Sequence, residues 1–255
     1  MNGEGLSVRL KCAAMRPALF AIAVLSLALA GPAEARSHRR AHARPTHSVV
    51  VELFTSQGCS ACVAADKLVD QLADEKGVLA LTFAVDYWDY LGWSDTFAKP
   101  EFKDRQEAYK QKLALRDLST PQIIINGGGQ VAGAETKGVE ALIRKAQRDR
   151  SQGPKMRMVR RGRLVIGPGQ RPPGGADVWL VRYDPAVRDV AVKRGENRGQ
   201  IIRERNVVRQ LVRLGAWSGR QKTYAAADGP EAAGLKTAVL LQAAKGGRIL
   251  AVLQR

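Results

Sequence analysis

Short apolar runs alternate along the first half of the chain with stretches whose apolar residues stand three and four apart. "HSVVVELF" (47–54) is rich in β-formers and stops at a polar turn, Thr55 to Gly58. From Cys59 to Lys76 the positions Cys62, Ala65, Leu68, Val69 and Leu72 recur at helical spacing, and Gly77 follows as a stop. "VLALTFAV" (78–85) predicts a second strand, and an aromatic segment, "DYWDYLGW" (86–93), comes after it. Residues from about 101 to 115 predict a helix after Pro100. "PQIIING" (121–127) predicts a third strand, Gly127 to Gly129 a tight turn, and "QVAGA" (130–134) a short fourth strand. "TKGVEALIRKAQRDR" (136–150) predicts a third helix with a basic end. The order is β-α-β-α-β-β-α. It implies a parallel first pair with a right-handed crossover, then a hairpin.

The pattern changes after residue 152. Gly and Pro cluster in "GPGQRPPGG" (167–175), and short alternating runs recur: "RLVIG", "DVWLVRY", "VAVKRG", "TAVLLQ" and "RILAVLQ". "NVVRQLVRLG" (206–215) is compatible with either helix or strand. The expectation is therefore an α/β domain over 47–152, followed by a mainly antiparallel, sandwich-like β domain over 153–255. No internal repeat of fixed period is present.

The N-terminus has the form of a secretory signal over 1–35. Arg9, Lys11 and Arg16 precede an apolar run, Pro17 to Gly31, and Ala33 and Ala35 provide small residues for cleavage. The run of about 15 residues is short of the roughly 20 that a membrane span needs. Nothing later in the chain resembles a transmembrane helix. The expected location is periplasmic or secreted, where disulfides persist. Residues 36–46 are basic and without an apolar run, as in a flexible arm.

Removal of the signal also removes Cys12, leaving Cys59 and Cys62 as the only cysteines of the mature chain. They stand in "FTSQGCSAC" (54–62), after a strand and at the start of a helix. Unpaired N–H groups at a helix start stabilise a thiolate, so the Cys59 pKa should fall below the usual ~8.5. Cys62, one turn on, faces the core and can attack a mixed disulfide formed at Cys59. Cys59 is thus the expected nucleophile and Cys62 the resolving thiol.

Further on, "STPQ" puts Pro121 after Thr120 at the start of the third strand. With the element order and the cysteine placement, this resembles the thioredoxin-like superfamily. The resemblance implies a thioredoxin-like fold for 47–152. It also implies that Pro121 is a cis-proline beside the cysteines and that Thr120 offers backbone hydrogen bonds to bound thiol substrates. "VVELFTSQGCSAC", "VDYWDYLGW", "TPQIIING", "RGENRG" and "NVVR" together are similar to a family of secreted bacterial proteins of unknown function. That family has a thioredoxin-like N-terminal domain and a β-rich C-terminal half. The similarity covers about 47–255. The chain departs from it at "CVAAD" (62–66), where the family more often shows two prolines. It also lacks the tryptophan that precedes the first cysteine in thioredoxin.

Other uses of the two cysteines stay in view. Zinc takes three or four Cys or His ligands. The histidines are His38, His42 and His47 alone, at or before the start of the folded region. A structural disulfide that braces an envelope binding module is an alternative, although a loop this short restrains the unfolded chain little. Copper(I) on two thiolates is a weaker one. The scarcity of histidine excludes Ser-His-Asp and Cys-His catalysis. The reading calls for no metal and no cofactor.

Glu52, in the first strand, is either a buried proton shuttle for Cys62 or a solvent-facing residue. Trp88 and Trp93 follow the second strand at its C-terminal end, where α/β sheets place ligands. They line a substrate groove or simply cover the sheet edge. The chain carries a net charge of +17, and residues 151–255 hold 21 Lys and Arg against 7 Asp and Glu. Such a surface attracts anions. In an exported protein that favours an anionic envelope surface over nucleic acid; the plain alternative is a solvated β surface. The expected partners at the cysteines are protein or small-molecule thiols and disulfides.

Overall fold

The computed structural model describes residues 48–149, 153–226 and 233–255. The signal and arm read over 1–46 lie outside them. Among the described residues, 38% are in strands and 21% in helices.

The first half runs β1 (Val49–Thr55), α1 (Val63–Leu72), β2 (Val78–Ala84), α2 (Pro100–Lys112), β3 (Gln122–Ile125), β4 (Gly129–Ala132) and α3 (Thr136–Arg148). The second half runs β5 (Met156–Val159), β6 (Arg163–Ile166), β7 (Ala176–Asp184), β8 (Arg188–Ala191), β9 (Ile201–Glu204), β10 (Val207–Trp217), β11 (Lys222–Ala225), β12 (Lys236–Ala243) and β13 (Ile249–Gln254). The ambiguous stretch 206–215 is strand. Its bulges let it follow β7 for its whole length.

The expected fold class does not hold. There is no thioredoxin-like α/β domain followed by a separate β sandwich. One eight-stranded mixed sheet runs through both halves in the order β13-β12-β7-β10-β2-β1-β3-β4. The junction is β10 beside β2, parallel, with Val207 opposite Thr82. Thr82 N donates to Asn206 O (3.1 Å), and the Asn206 side chain donates back to Ala80 O (2.8 Å). β1 and β2 are buried at every position, which explains their unbroken apolar runs: both faces of both strands are covered.

Alternation along the strands divides the core. Val49, Val51 and Leu53 of β1 face α1 and α3, packing on Leu68, Val69, Leu72, Val139 and Ile143. Val50 and Phe54 face the other way, toward Phe102 and Tyr109 of α2. That second cluster continues without a break into Val181, Val208, Leu240 and Val252 of the later strands. A small sheet, β11-β6-β5, closes the opposite face of the second half over Trp217, Leu180 and Leu241. β8 and β9 form a hairpin of their own, and α1 packs against β9. The site lies where α1, β2 and this hairpin converge.

Candidate functional site

Cys59 caps a single 3-10 turn, Ser60–Cys62, which leads into α1. The two cysteines form a disulfide with their Cα atoms 5.4 Å apart. Ser60 and Ala61 between them are exposed. Cys59 itself is only 1% exposed and Cys62 is fully buried. The Thr120 carbonyl oxygen lies 3.8 Å from Cys59 Sγ, and the Thr120–Pro121 peptide bond is cis.

The structure brings Trp88 to the same place. Its indole N–H donates to the Thr120 hydroxyl (2.7 Å), and its ring stacks on the exposed Tyr90. Trp93 lies one step away, donating its indole N–H to Gln57 Oε1 (3.1 Å). Both indoles are therefore held in place, and both are half-buried.

Glu52 is placed elsewhere. Its position in β1 gives it the face of Val50 and Phe54, whereas α1 packs over Val51 and Leu53. There it is fully buried and ion-paired with Arg105 (2.7 Å), and it accepts a hydrogen bond from the Tyr109 hydroxyl. Arg105 in turn lies over the rings of Phe83, Tyr109 and Trp179. This cluster lies on the face of β1 opposite the one that α1 covers.

The buried acids on the cysteine side are ones that sequence reasoning passed over. Asp66 stands four residues after Cys62 on the same helix and is 5% exposed. Burial pushes its carboxyl up to about 8, with the charge of Asp95 adding to the effect and the Thr55 hydroxyl offsetting part of it. Neither Asp66 oxygen completes a hydrogen bond among the described residues. Glu204 of β9 is 1% exposed, and burial together with the charges of Asp66 and Asp95 holds its carboxyl well above the usual range. Asp95 is more nearly satisfied, accepting from the backbone N–H groups of Gln57, Phe97 and Ala98. Gln57 ties these groups together: its amide donates to Glu204 Oε2 (2.9 Å) and to the Thr96 hydroxyl (2.9 Å). Among the described residues, no group of three His, Cys, Asp or Glu side chains is disposed to hold a metal ion.

Two more contacts reach the cysteine turn from the second half. Glu196 accepts hydrogen bonds from Ser60 N (2.9 Å) and Ser60 Oγ (2.7 Å). Asn197 Nδ2 donates to Gln57 O (2.9 Å) and Cys59 O (3.0 Å). Both residues sit in "RGENRG", a motif quoted above for its resemblance without a role. Its glycines gave the one local hint: Gly195 and Gly199 have positive φ, and a side chain at Gly195 would touch Leu91, Trp93 and Gly58.

Fold and site together define a mostly β protein, built on one large mixed sheet, with a cysteine pair at a helix start that is contacted by its own C-terminal half. The chain belongs to the DUF1223 family, described as proteins of unknown function, which it matches over residues 50–242. It is similar to a protein named a probable thioredoxin from Archaeoglobus fulgidus, with 30% identity over 98 residues, 38% of this chain and 88% of that one. Among solved structures it resembles protein AGR_C_4864 from Agrobacterium tumefaciens, with a TM-score of 0.64 and 30% identity over 80% of this chain and 91% of that one. It also shares its fold with HBP35 of Porphyromonas gingivalis (TM-score 0.51, 13% identity, 82% of this chain and 75% of that one).

Proposed function

We propose that the protein exchanges disulfides with protein or small-molecule thiols through Cys59 and Cys62. The observation that carries this is placement. The pair opens a helix at the end of a buried parallel strand, and the Thr120 carbonyl stands 3.8 Å from Cys59 Sγ. The Thr120–Pro121 backbone, with Trp88 holding the Thr120 hydroxyl, is the surface a substrate would meet, and Trp93 steadies the turn through Gln57. Similarity to a probable thioredoxin over 98 residues supports the same chemistry.

In the reducing direction, the Cys59 thiolate attacks one sulfur of a substrate disulfide. That S–S bond breaks, a mixed disulfide forms, and one substrate thiolate leaves and takes a proton from water. Cys62 then gives its proton to a base and attacks Cys59 Sγ, and the second substrate thiolate leaves and is protonated. The protein loses two electrons and forms the Cys59–Cys62 disulfide; the substrate gains two electrons and two protons. An external thiol reductant resets the pair. Cys62 is sealed from water, so its base must be internal. Asp66, on the same helix, fits that role in its ionised form, which gains as pH rises toward about 8, in place of Glu52.

We place this activity outside the cytoplasm, on the strength of the N-terminal apolar run and its basic flank. The basic second half would then hold the protein near anionic envelope surfaces.

One observation favours a second reading: Cys59 is almost fully covered, as a brace would be. The two are separated by trapping. A Cys62→Ser chain should accumulate mixed disulfides at Cys59 with small disulfides such as oxidised glutathione and with exported proteins. If Cys59 captures neither under denaturant-free conditions, the exchange reading is lost. A brace would instead be marked by function in the cell that survives replacement of both cysteines by serine.

A further inference from the structure

The strap between β8 and β9, residues 192–200, is closed on itself by backbone bonds. Val192 N donates to Gln200 O, Gly199 N to Val192 O and Gln200 N to Asn197 O. Its tip therefore presents Glu196 and Asn197 in fixed positions. Asn197 grips the backbone on both sides of Gly58, and Glu196 takes the amide and hydroxyl of Ser60, the residue between Cys59 and the rest of the helix. A thiolate at a helix start draws its stability from the free N–H groups there. In this protein a full negative charge already occupies that position.

We propose that Glu196 tunes Cys59: its carboxylate on Ser60 opposes the Cys59 thiolate and sets the pair toward the reducing end. The proposal rests on the exchange reading above and gives it a direction. A thiolate that is costly to form destabilises the reduced pair, so the disulfide is held more firmly and the dithiol gives up electrons more readily. Glu196 is ionised for this purpose, since its hydrogen bonds from the Ser60 amide and hydroxyl hold its carboxyl below the usual range.

Other charged groups face the turn. Lys193, Arg194 and Arg198 lie on the strap and line a groove with Leu91 and Glu196. Their charges oppose that of Glu196, but none is hydrogen-bonded to the cysteine turn among the described residues. From below, burial raises the carboxyls of Asp66, Glu204 and Asp95, and Asp95 also accepts from three backbone N–H groups. On the aromatic segment, Asp89 is engaged by Asp95 N. Among the described residues, Glu196 is thus the one carboxylate hydrogen-bonded to Ser60, the residue that follows Cys59.

The test uses the full chain with Glu196→Gln, which keeps an oxygen to accept from Ser60 and removes only the charge. Two quantities are read: the rate of Cys59 alkylation against pH, resolved by mass spectrometry, and the equilibrium with glutathione at a pH above the Cys59 pKa that alkylation gives for both proteins. The expected result is a Cys59 pKa about one unit lower, a like-charge effect of ordinary size. The equilibrium should shift about tenfold toward the dithiol, equivalent to about 30 mV for a two-electron couple. Glu196→Asp, which keeps the charge, should stay near the parent protein in both. If Glu196→Gln fails to fold, Glu196→Ser, which also removes the charge, supplies the same test. A parent protein that exchanges with glutathione while the neutral variant leaves both quantities unchanged overturns the proposal. A parent protein that never equilibrates with glutathione removes the exchange reading itself, and this inference with it.

Discussion

Asp66 is the residue on which stability and the proposed chemistry meet. Its carboxyl titrates at about 8 in the folded chain against an ordinary 3.8, so the native state holds a proton that the unfolded chain releases. A group shifted upward in this way contributes fully at pH below about 4, and its contribution is lost as pH rises through 8. Asp66→Asn should flatten that slope. Chemical denaturation is expected to show a gain of ~2–4 kcal/mol at pH 8 and almost none at pH 4. If Asp66 is the base for Cys62, the same substitution should slow release of the mixed disulfide by roughly 10- to 100-fold, measured by quenched-flow with a disulfide substrate. Across the sheet the logic is reversed. Arg105→Met strands the buried Glu52 carboxylate, and thermal or urea melts should register a loss of about 3–5 kcal/mol with exchange chemistry intact. Neither role was legible in the sequence. A lone Asp beside Ala65 in a helical pattern reads as part of a solvated face. A Glu in an apolar strand gives no sign of a partner 53 residues away.

At the scale of elements, the first half was readable because its signals are local. Helical spacing, Gly77, Pro100 and the run "QIII" mark elements that form among near neighbours in sequence. The cysteine turn was legible for the same reason. The strap was not, because its meaning lies in contacts with residues 136 to 140 positions earlier. Asn197→Ala should loosen it. Two hydrogen bonds to buried carbonyls are lost, for about 1–3 kcal/mol in global stability, and hydrogen exchange should rise at Cys59 to Cys62 before it does in β1. Gly246 marks another tight junction. It adopts φ +69°, and a Cβ there would stand 2.7 Å from the Ala108 backbone. Gly246→Ala is therefore expected to destabilise by roughly 1–3 kcal/mol in a urea melt, through the α2 packing alone.

For the molecule as a whole, the sequence suggested a boundary near residue 152, because composition and pattern change there. The composition does change, but the sheet does not stop. On its second side β2 pairs with β10, which comes more than a hundred residues later. Ile249 N also donates to Asn126 O, and Gln254 reaches Ser48, so the last strand is tied to the first half as well. Calorimetry should accordingly show one cooperative transition, not two. A fragment of residues 48–149 exposes Leu81, Phe83 and the β2 edge, and it should be aggregation-prone or molten by near-ultraviolet dichroism.

The strap also places the cysteine turn in time. Every group that Glu196 and Asn197 hold has been synthesised well before the strap itself, and the strap needs β8 and β9 to close. A chain still emerging from a ribosome carries Cys59 and Cys62 without the contacts of the strap, in an environment unlike that of the finished protein. In the mature protein the C-terminal half has arrived and claimed the Ser60 amide.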